Sequence, residues 1–308
     1  MLTIFTIPKP FQGHIAVIQR NAIKSWLLLQ PTCEVILCGD DPGTAETAQE
    51  FGVKHIQDIA INDYGTPLLD DAFNRVQQIA RNRFICYANA DIIFFSDLMS
   101  ALTLLPMSQF LMVGQRWDID IIAPIDFDKP DWEQRFKIHL AHHGKLQRID
   151  YIDYFVFPKN TIGDLPKFAV GRPGWDNWMI YSARRLQIPV VDATQFVTAA
   201  HQNHDYTHIP EGTGALWEGP EADRNRALAG GKRHRFYVTD ATHKLTERGV
   251  SKAIDDQYLE RRASAQSRLD ERTAFPVQFQ HRLVTAIGRR RKRFPGWLWR
   301  FLIDRLTR

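Results

Sequence analysis

Short apolar runs alternating with stretches of helical spacing dominate the beginning of the chain, and this alternation is its strongest constraint on fold. Leu2 to Ile7, Glu34 to Cys38 and Arg83 to Ala88 are too short for helices and apolar enough to be buried strands, and Val53 to Ile56 reads as a short third strand in the series. Between them, Ile15 to Leu29, Thr44 to Phe51 and Leu68 to Ala80 carry helical periodicity, with Ile15, Ile18, Ile23 and Trp26 among the apolar positions of the first. Pro8 and Pro10 close the first run, and Gly39-Asp40-Asp41-Pro42-Gly43 closes the second. Strands that alternate with helices predict an α/β fold with a mostly parallel sheet flanked by crossover helices.

Beyond Ala88 the pattern loosens. Phe110 to Gly114, Ile149 to Phe157 and Val190 to Asp192 read as strands, and Trp175 to Leu186 as a helix. The stretch 201–250, rich in Gly, His, Asn and Asp, predicts ordered loops and short helices on the active face. Residues 251–274 predict a charged helix. The expected division is a domain over 1–250 and a helical, basic, amphipathic extension over 251–308, within 308 residues of which 44% are hydrophobic. Cys33, Cys38 and Cys86 are odd in number and sit in apolar surroundings, so they read as reduced core residues. MLTIFTI reads as a first strand rather than a signal peptide, and no run is long and apolar enough to span a bilayer, which predicts a cytoplasmic address.

Charge is unevenly placed. From 281 to 308 there are nine Lys/Arg against one acid, Asp304, although the whole chain carries only +4. Within residues 282–308, Arg and Lys flank Phe294, Trp297, Trp299 and Phe301, a composition suited to the inner face of a membrane, where each base is worth about 1 kcal/mol near anionic lipid. Docking of this segment on the acidic body or a partner, and nonspecific nucleic-acid binding, rank below that reading.

The stretch most informative for chemistry is Arg83 to Phe95, in which a buried strand runs into Asn89-Ala90-Asp91. Ligands of parallel sheets gather beyond the carboxyl ends of the strands, and a carboxylate there can hold Mg²⁺ or Mn²⁺ against a diphosphate. The competing reading is that Asn89 and Asp91 only make a turn.

The order of these elements, followed by Asp153-Tyr154-Phe155-Val156-Phe157-Pro158, Gly171-Arg172-Pro173-Gly174-Trp175-Asp176-Asn177-Trp178 and His201-Gln202-Asn203-His204-Asp205-Tyr206-Thr207-His208, resembles bacterial GT-A-fold glycosyltransferases, the nucleotide-diphospho-sugar transferase superfamily, over about residues 1–245. The resemblance implies a transferase that moves a sugar from a nucleotide-sugar donor to a glycan or lipid-linked acceptor, as in polysaccharide biosynthesis. It implies a divalent metal, Mn²⁺ or Mg²⁺, held by Asp91 with His201 and His204. Donor contacts fall on Thr6, Pro8, Asp40, Asp41, Asn74, Asn89, Asp91 and Arg172, and acceptor contacts on Tyr154, Trp175 and Trp178. The first acidic position of the metal motif is Asn89 here, a weaker ligand than a carboxylate.

Inverting transfer needs a base for the acceptor hydroxyl, and Asp176, opening a helix after a Gly-Arg-Pro-Gly loop, is the candidate. Each assignment has a plainer alternative: Asp40 and Asp41 as turn formers, Asp176 as an N-cap, Arg172 in a surface ion pair, the tryptophans as core, the histidines as structural. The competing functions are a retaining transferase of the same fold and a non-catalytic sugar-nucleotide- or glycan-binding module. A sugar-1-phosphate nucleotidyltransferase is disfavoured because Thr6 to His14, TIPKPFQGH, lacks a glycine-rich first loop.

Overall fold

A computed structural model of the chain describes residues 1–204 and 217–269. The expectations for 282–308, for 270–274 and for His208 lie outside the described residues.

The alternation read from the sequence is present as β1 (Leu2–Thr6), α1 (Gly13–Leu27), β2 (Glu34–Cys38), α2 (Thr44–Phe51), β3 (Lys54–Ile56), α3 (Leu69–Ile79) and β4 (Phe84–Ala88). Then come β5 (Ile92–Phe94), α4 (Ser96–Thr103), β6 (Leu111–Val113), β7 (Trp117–Ile119), α5 (Trp132–His143), β8 (Lys145–Leu146), β9 (Tyr154–Pro158), α6 (Trp175–Arg185), β10 (Val190–Asp192) and β11 (Ala199–Gln202). The described part ends with α7 (Pro220–Leu228), β12 (His243–Thr246), β13 (Gly249–Lys252) and α8 (Asp256–Leu269).

Nine strands form one sheet in the order β13-β12-β10-β6-β9-β4-β1-β2-β3. Most of its pairings are parallel: β1 with β2 and β4, β2 with β3, and β10 with β6 and β12. The strand β9 is reversed between β4 and β6, so its first residues lie beside the carboxyl end of β4. Helices cover both faces, which is why β4 reads as a continuous apolar run and is buried at all five positions. Successive residues of β1 serve opposite faces: Leu2 and Ile4 pack with Trp26 and Phe94, whereas Phe5 packs edge-on to Phe73 at 4.9 Å and to Tyr87 at 5.3 Å. Cys33, Cys38 and Cys86 are buried and unpaired, and burial pushes the Cys33 thiol up to about 12. Among the described residues no helix is long and apolar enough to cross a membrane. The helix α8 packs on the core through buried Tyr258 and Ala265.

A second sheet, β5-β11-β7-β8, positions the site and had no counterpart in the sequence reading. It is fastened to α1 by buried polar groups. Trp26 Nε1–H donates to the Ile92 carbonyl at 2.8 Å, and the Phe94 N–H donates to Ser25 Oγ at 3.2 Å. Asn21 Nδ2 donates to Gln202 Oε1 at 2.9 Å, and Gln202 Nε2 donates to the Ile18 carbonyl at 2.8 Å. Because these groups are buried, each lost partner leaves a polar atom without water to replace it. Gln202→Leu is therefore expected to lower stability by about 1–3 kcal/mol in urea unfolding, with an unchanged m-value.

Candidate active site

The chain leaves β4 through Asn89-Ala90-Asp91, a turn closed by the Ile92 N–H donating to the Asn89 carbonyl at 3.1 Å. Turn formation and site formation coincide here. The strand β11 pairs antiparallel with β5 and parallel with β7, in a register that sets His201 beside Ile92 and beside Asp118. His201 thus falls between two carboxylates: its Nε2 lies 3.6 Å from Asp91 Oδ2, and its Nδ1 lies 3.3 Å from Asp118 Oδ1, off the line of a good hydrogen bond. His204, two residues past β11, brings Nε2 to 3.3 Å from the same Asp91 oxygen. One ligand atom from each of Asp91, His201 and His204 lies within 4.8 Å of the others.

Proton bookkeeping shows what this centre is built to hold. Lys9 Nζ is 3.2 Å from His204 Nε2, where an ammonium donates to an unprotonated ring nitrogen, and the same Nε2, when it carries the proton, donates instead to Asp91 Oδ2 at 3.3 Å. Asp118 beside His201 Nδ1 favours the proton there, leaving the Nε2 lone pair toward Asp91. Asp91 Oδ1 is buried and has no hydrogen-bond partner among the described residues. A buried carboxylate oxygen without a partner thus lies beside two imidazole nitrogens, a set of atoms that can hold a cation. Two imidazoles and a carboxylate suit a transition ion such as Mn²⁺. Burial pushes the Asp91 carboxyl up, but His201, His204 and Lys9 outweigh it and hold the group well below the usual carboxylate range.

Behind this centre, Arg116 ties the two sheets together. Its Nη1 donates to Asp153 Oδ2 at 2.6 Å and its Nε to Asp118 Oδ1 at 2.8 Å, over the Tyr151 ring at 5.0 Å. Burial lowers the guanidinium's pKa, but Asp153 and Asp118 reverse the shift and raise it. Asn89 completes the set, donating from Nδ2 to Asp153 Oδ1 at 2.7 Å. A carboxylate at position 89 would meet Asp153 at that distance with like charge, which explains why an amide occupies the first position of the motif.

Asp176 is the second residue of α6, and Gly174, at φ 104°, is the N-cap. The N-cap alternative for Asp176 is thereby replaced by a first-turn position favourable to an acid. Trp175 docks α6 at the end of β4, with its ring 5.1 Å from both Tyr87 and Phe155. Burial pushes the Asp176 carboxyl up to about 6, against the Asn177 N–H that it accepts at 2.8 Å and with the charge of Asp153 adding to the rise.

Three expectations are corrected. Tyr154 is 0% exposed and packs edge-on to Phe94 at 5.5 Å, with its hydroxyl over Gly114, so it belongs to the core and cannot reach an acceptor. Trp175, 6% exposed, is a docking residue of α6 for the same reason. Arg172 is paired with Glu221 at 2.6 Å, and Asn62 donates to the same carboxylate, so the ion-pair alternative holds over the diphosphate role. Trp178 is partly exposed and edge-on to Phe168 at 5.5 Å.

Of the remaining donor candidates, Thr6 is fully buried at the end of β1, and Pro8 is partly exposed just after it. Asp40 is exposed beyond β2, Asp41 is partly exposed with its carbonyl accepting the Thr44 N–H at the start of α2, and Asn74 is partly exposed in the middle of α3. The sequence reading assigned no role to Lys9, Arg116, Asp118 or Asp153. Asp153 stood inside a quoted motif, and Arg116 to Ile119 alternate polar and apolar residues, but a strand of three residues is too short a signal to act on.

No protein-family model matches the chain. No curated protein matches it either. Among solved structures, the chain is similar to TarS 1-349 of S. aureus in complex with UDP-GlcNAc, with 11% identity and a TM-score of 0.44 over 88% of this chain and 82% of that one. A TarS structure in complex with UDP aligns over 42% of this chain and 39% of that one, at 12% identity and a TM-score of 0.31. Glucosyl-3-phosphoglycerate synthase from Mycobacterium tuberculosis, in complex with Mn²⁺, UDP and glucosyl-3-phosphoglycerate, aligns at 14% identity and a TM-score of 0.43 over 75% of this chain and 80% of that one.

The raised Asp176 pKa has a consequence for stability. The folded state holds this proton more tightly than an unfolded aspartate, whose pKa is about 3.9, so ionisation costs stability as pH rises from about 4 through 6. Asp176→Asn removes that cost while keeping an acceptor for the Asn177 N–H. Thermal melts are expected to show the variant more stable than wild type at about pH 8, with the gain gone near pH 4.

Proposed function

We propose that the protein is a glycosyltransferase that moves a sugar from a nucleotide-diphosphate donor to an acceptor hydroxyl, with inversion at the anomeric carbon. The observation that carries this reading is the acceptor-lined centre of Asp91, His201 and His204, with a carboxyl pushed up to about 6 on the adjoining helix start. Asp91, His201 and His204 would hold a divalent ion, which supplies positive charge to a leaving diphosphate. Asp118 orients His201, and Arg116 fixes Asp118 and Asp153. Asp176, ionised at neutral pH, accepts the acceptor hydroxyl's proton as the new C–O bond forms and the bond to the diphosphate breaks. In this reading Pro8, Asp40 and Asp41, just beyond the carboxyl ends of β1 and β2, meet the nucleotide, and Thr6, fully buried, supports them from the core. The Asn-for-Asp substitution at 89 does not argue against turnover, because the amide is matched to Asp153. The basic, aromatic stretch 282–308 supports work at an anionic membrane surface on a lipid-linked acceptor.

The test is a panel of nucleotide sugars with and without Mn²⁺, read first by thermal shift and then by turnover. A donor is expected to raise the melting temperature only with the ion present, and Asp91→Ala is expected to abolish that shift. Asp176→Asn is expected to keep donor binding and to lose roughly 10²–10⁴ in kcat. NMR of the product is expected to show the inverted anomer. A retained anomer would return Asp176 to acceptor positioning, and binding without turnover would identify a binding module.

A further inference from the structure

The centre described above contains a cationic side chain that neither the motif nor the proposed reaction uses. Lys9 follows β1, flanked by Pro8 and Pro10, two residues whose rings fix φ near −65°. Its backbone is clamped from both sides by one buried side chain: the Lys9 N–H donates to Gln19 Oε1 at 2.7 Å, and Gln19 Nε2 donates to the Lys9 carbonyl at 2.8 Å. Gln19 is 2% exposed and lies on α1, the helix that also holds β5 and β11. The backbone of Lys9 is thus held from both sides beside the motif. The Lys9 side chain delivers Nζ to 3.2 Å from His204 Nε2, a ligand atom that also lies 3.3 Å from Asp91 Oδ2.

We propose that the Lys9 ammonium is the built-in counter-ion of the Asp91–His201–His204 centre and competes with a divalent ion for it, the two cations occupying it alternately. The inference rests on the metal-centre reading given above. Its physical basis is a conflict over one electron pair. The Nε2 lone pair of His204 can accept from Lys9 or bind a metal ion, and it cannot do both. A divalent ion entering the centre must break the Lys9–His204 contact, and like-charge repulsion at this separation then drives the ammonium away. In the absence of the ion, Lys9 is one of the groups, after His201 and His204, that favour the buried Asp91 carboxylate. Burial lowers the Lys9 pKa, attraction to Asp91 and then Asp153 opposes that fall, and Arg116 adds to it. A flexible four-carbon stem on a pinned backbone suits such an exchange.

Calorimetric titration of Mn²⁺ into the full chain tests the exchange directly, without turnover. Lys9→Met removes the competitor at similar length and is expected to bind Mn²⁺ on the order of tenfold tighter or more. Lys9→Arg keeps the charge and is expected to stay near wild type. Adding Asp91→Ala to Lys9→Met is expected to abolish binding, which assigns the measured site. A second measurement uses wild type alone, so it does not depend on a variant folding: brief acetylation followed by mass spectrometry is expected to show Lys9 modified faster once Mn²⁺ is bound. If wild type binds Mn²⁺ but Lys9→Met binds it no tighter, or Lys9 acetylation does not respond to the ion, the competition is overturned and the metal centre stands. If neither wild type nor Lys9→Met binds Mn²⁺, the metal-centre reading itself fails and the proposal falls with it.

Discussion

The arrangement of this molecule depends on the double ion pair of Arg116. One guanidinium spans Asp153, at the entrance to the reversed strand of the large sheet, and Asp118, on the small sheet. Desolvating three charges costs several kcal/mol per ion before their attraction is counted, so a cluster like this adds little net stability. Its effect is positional. Through Asp153 it reaches Asn89 and the metal motif, and through Asp118 it reaches His201, so the two halves of the centre are held by one planar group with fixed donor directions. A lysine here would keep the charge but lose the paired geometry.

The parts of this design that were legible in the sequence are those written in periodicity. The strands β1, β2 and β4 were readable because their apolar runs are continuous and almost wholly buried, and the partly exposed edge strand β3 followed from the alternation with helices. The expectation that Asp91, His201 and His204 share a centre came from motif order, and the geometry brings them together. The small sheet was not readable. Its β8 has two residues and its β5 and β7 three each, shorter than any alternation can reveal. Likewise, Asn89 looked like a weakened ligand because its partner, Asp153, is 64 positions away. Tyr154 and Trp175 were misread for the opposite reason: an aromatic residue beside a polar motif looks the same whether it faces a ligand or the core.

Asp176 shows how burial sets the proton affinity of a carboxyl in this fold. The same burial that raises its pKa makes its ionised form costly, and nothing with a positive charge is hydrogen-bonded to it. Asp91, equally enclosed, is surrounded by His201, His204 and Lys9 and shifts the other way. Two carboxyl groups near the end of one strand are thus separated in proton affinity by their surroundings, a pattern associated with distinct chemical roles.

The reversed direction of β9 carries an evolutionary implication. Because β9 lies between β4 and β6 and runs opposite to both, the excursion from Gly114 to Asp153 departs from and returns to the same rim of the large sheet. That excursion contains β7, α5 and β8, with Arg116 and Asp118 near its start and Asp153 at its end. The part of it between β7 and β8 can lengthen or shorten without removing Arg116, Asp118 or any strand of the large sheet, so the surface beside the centre is free to vary while the groups that hold the centre stay in place.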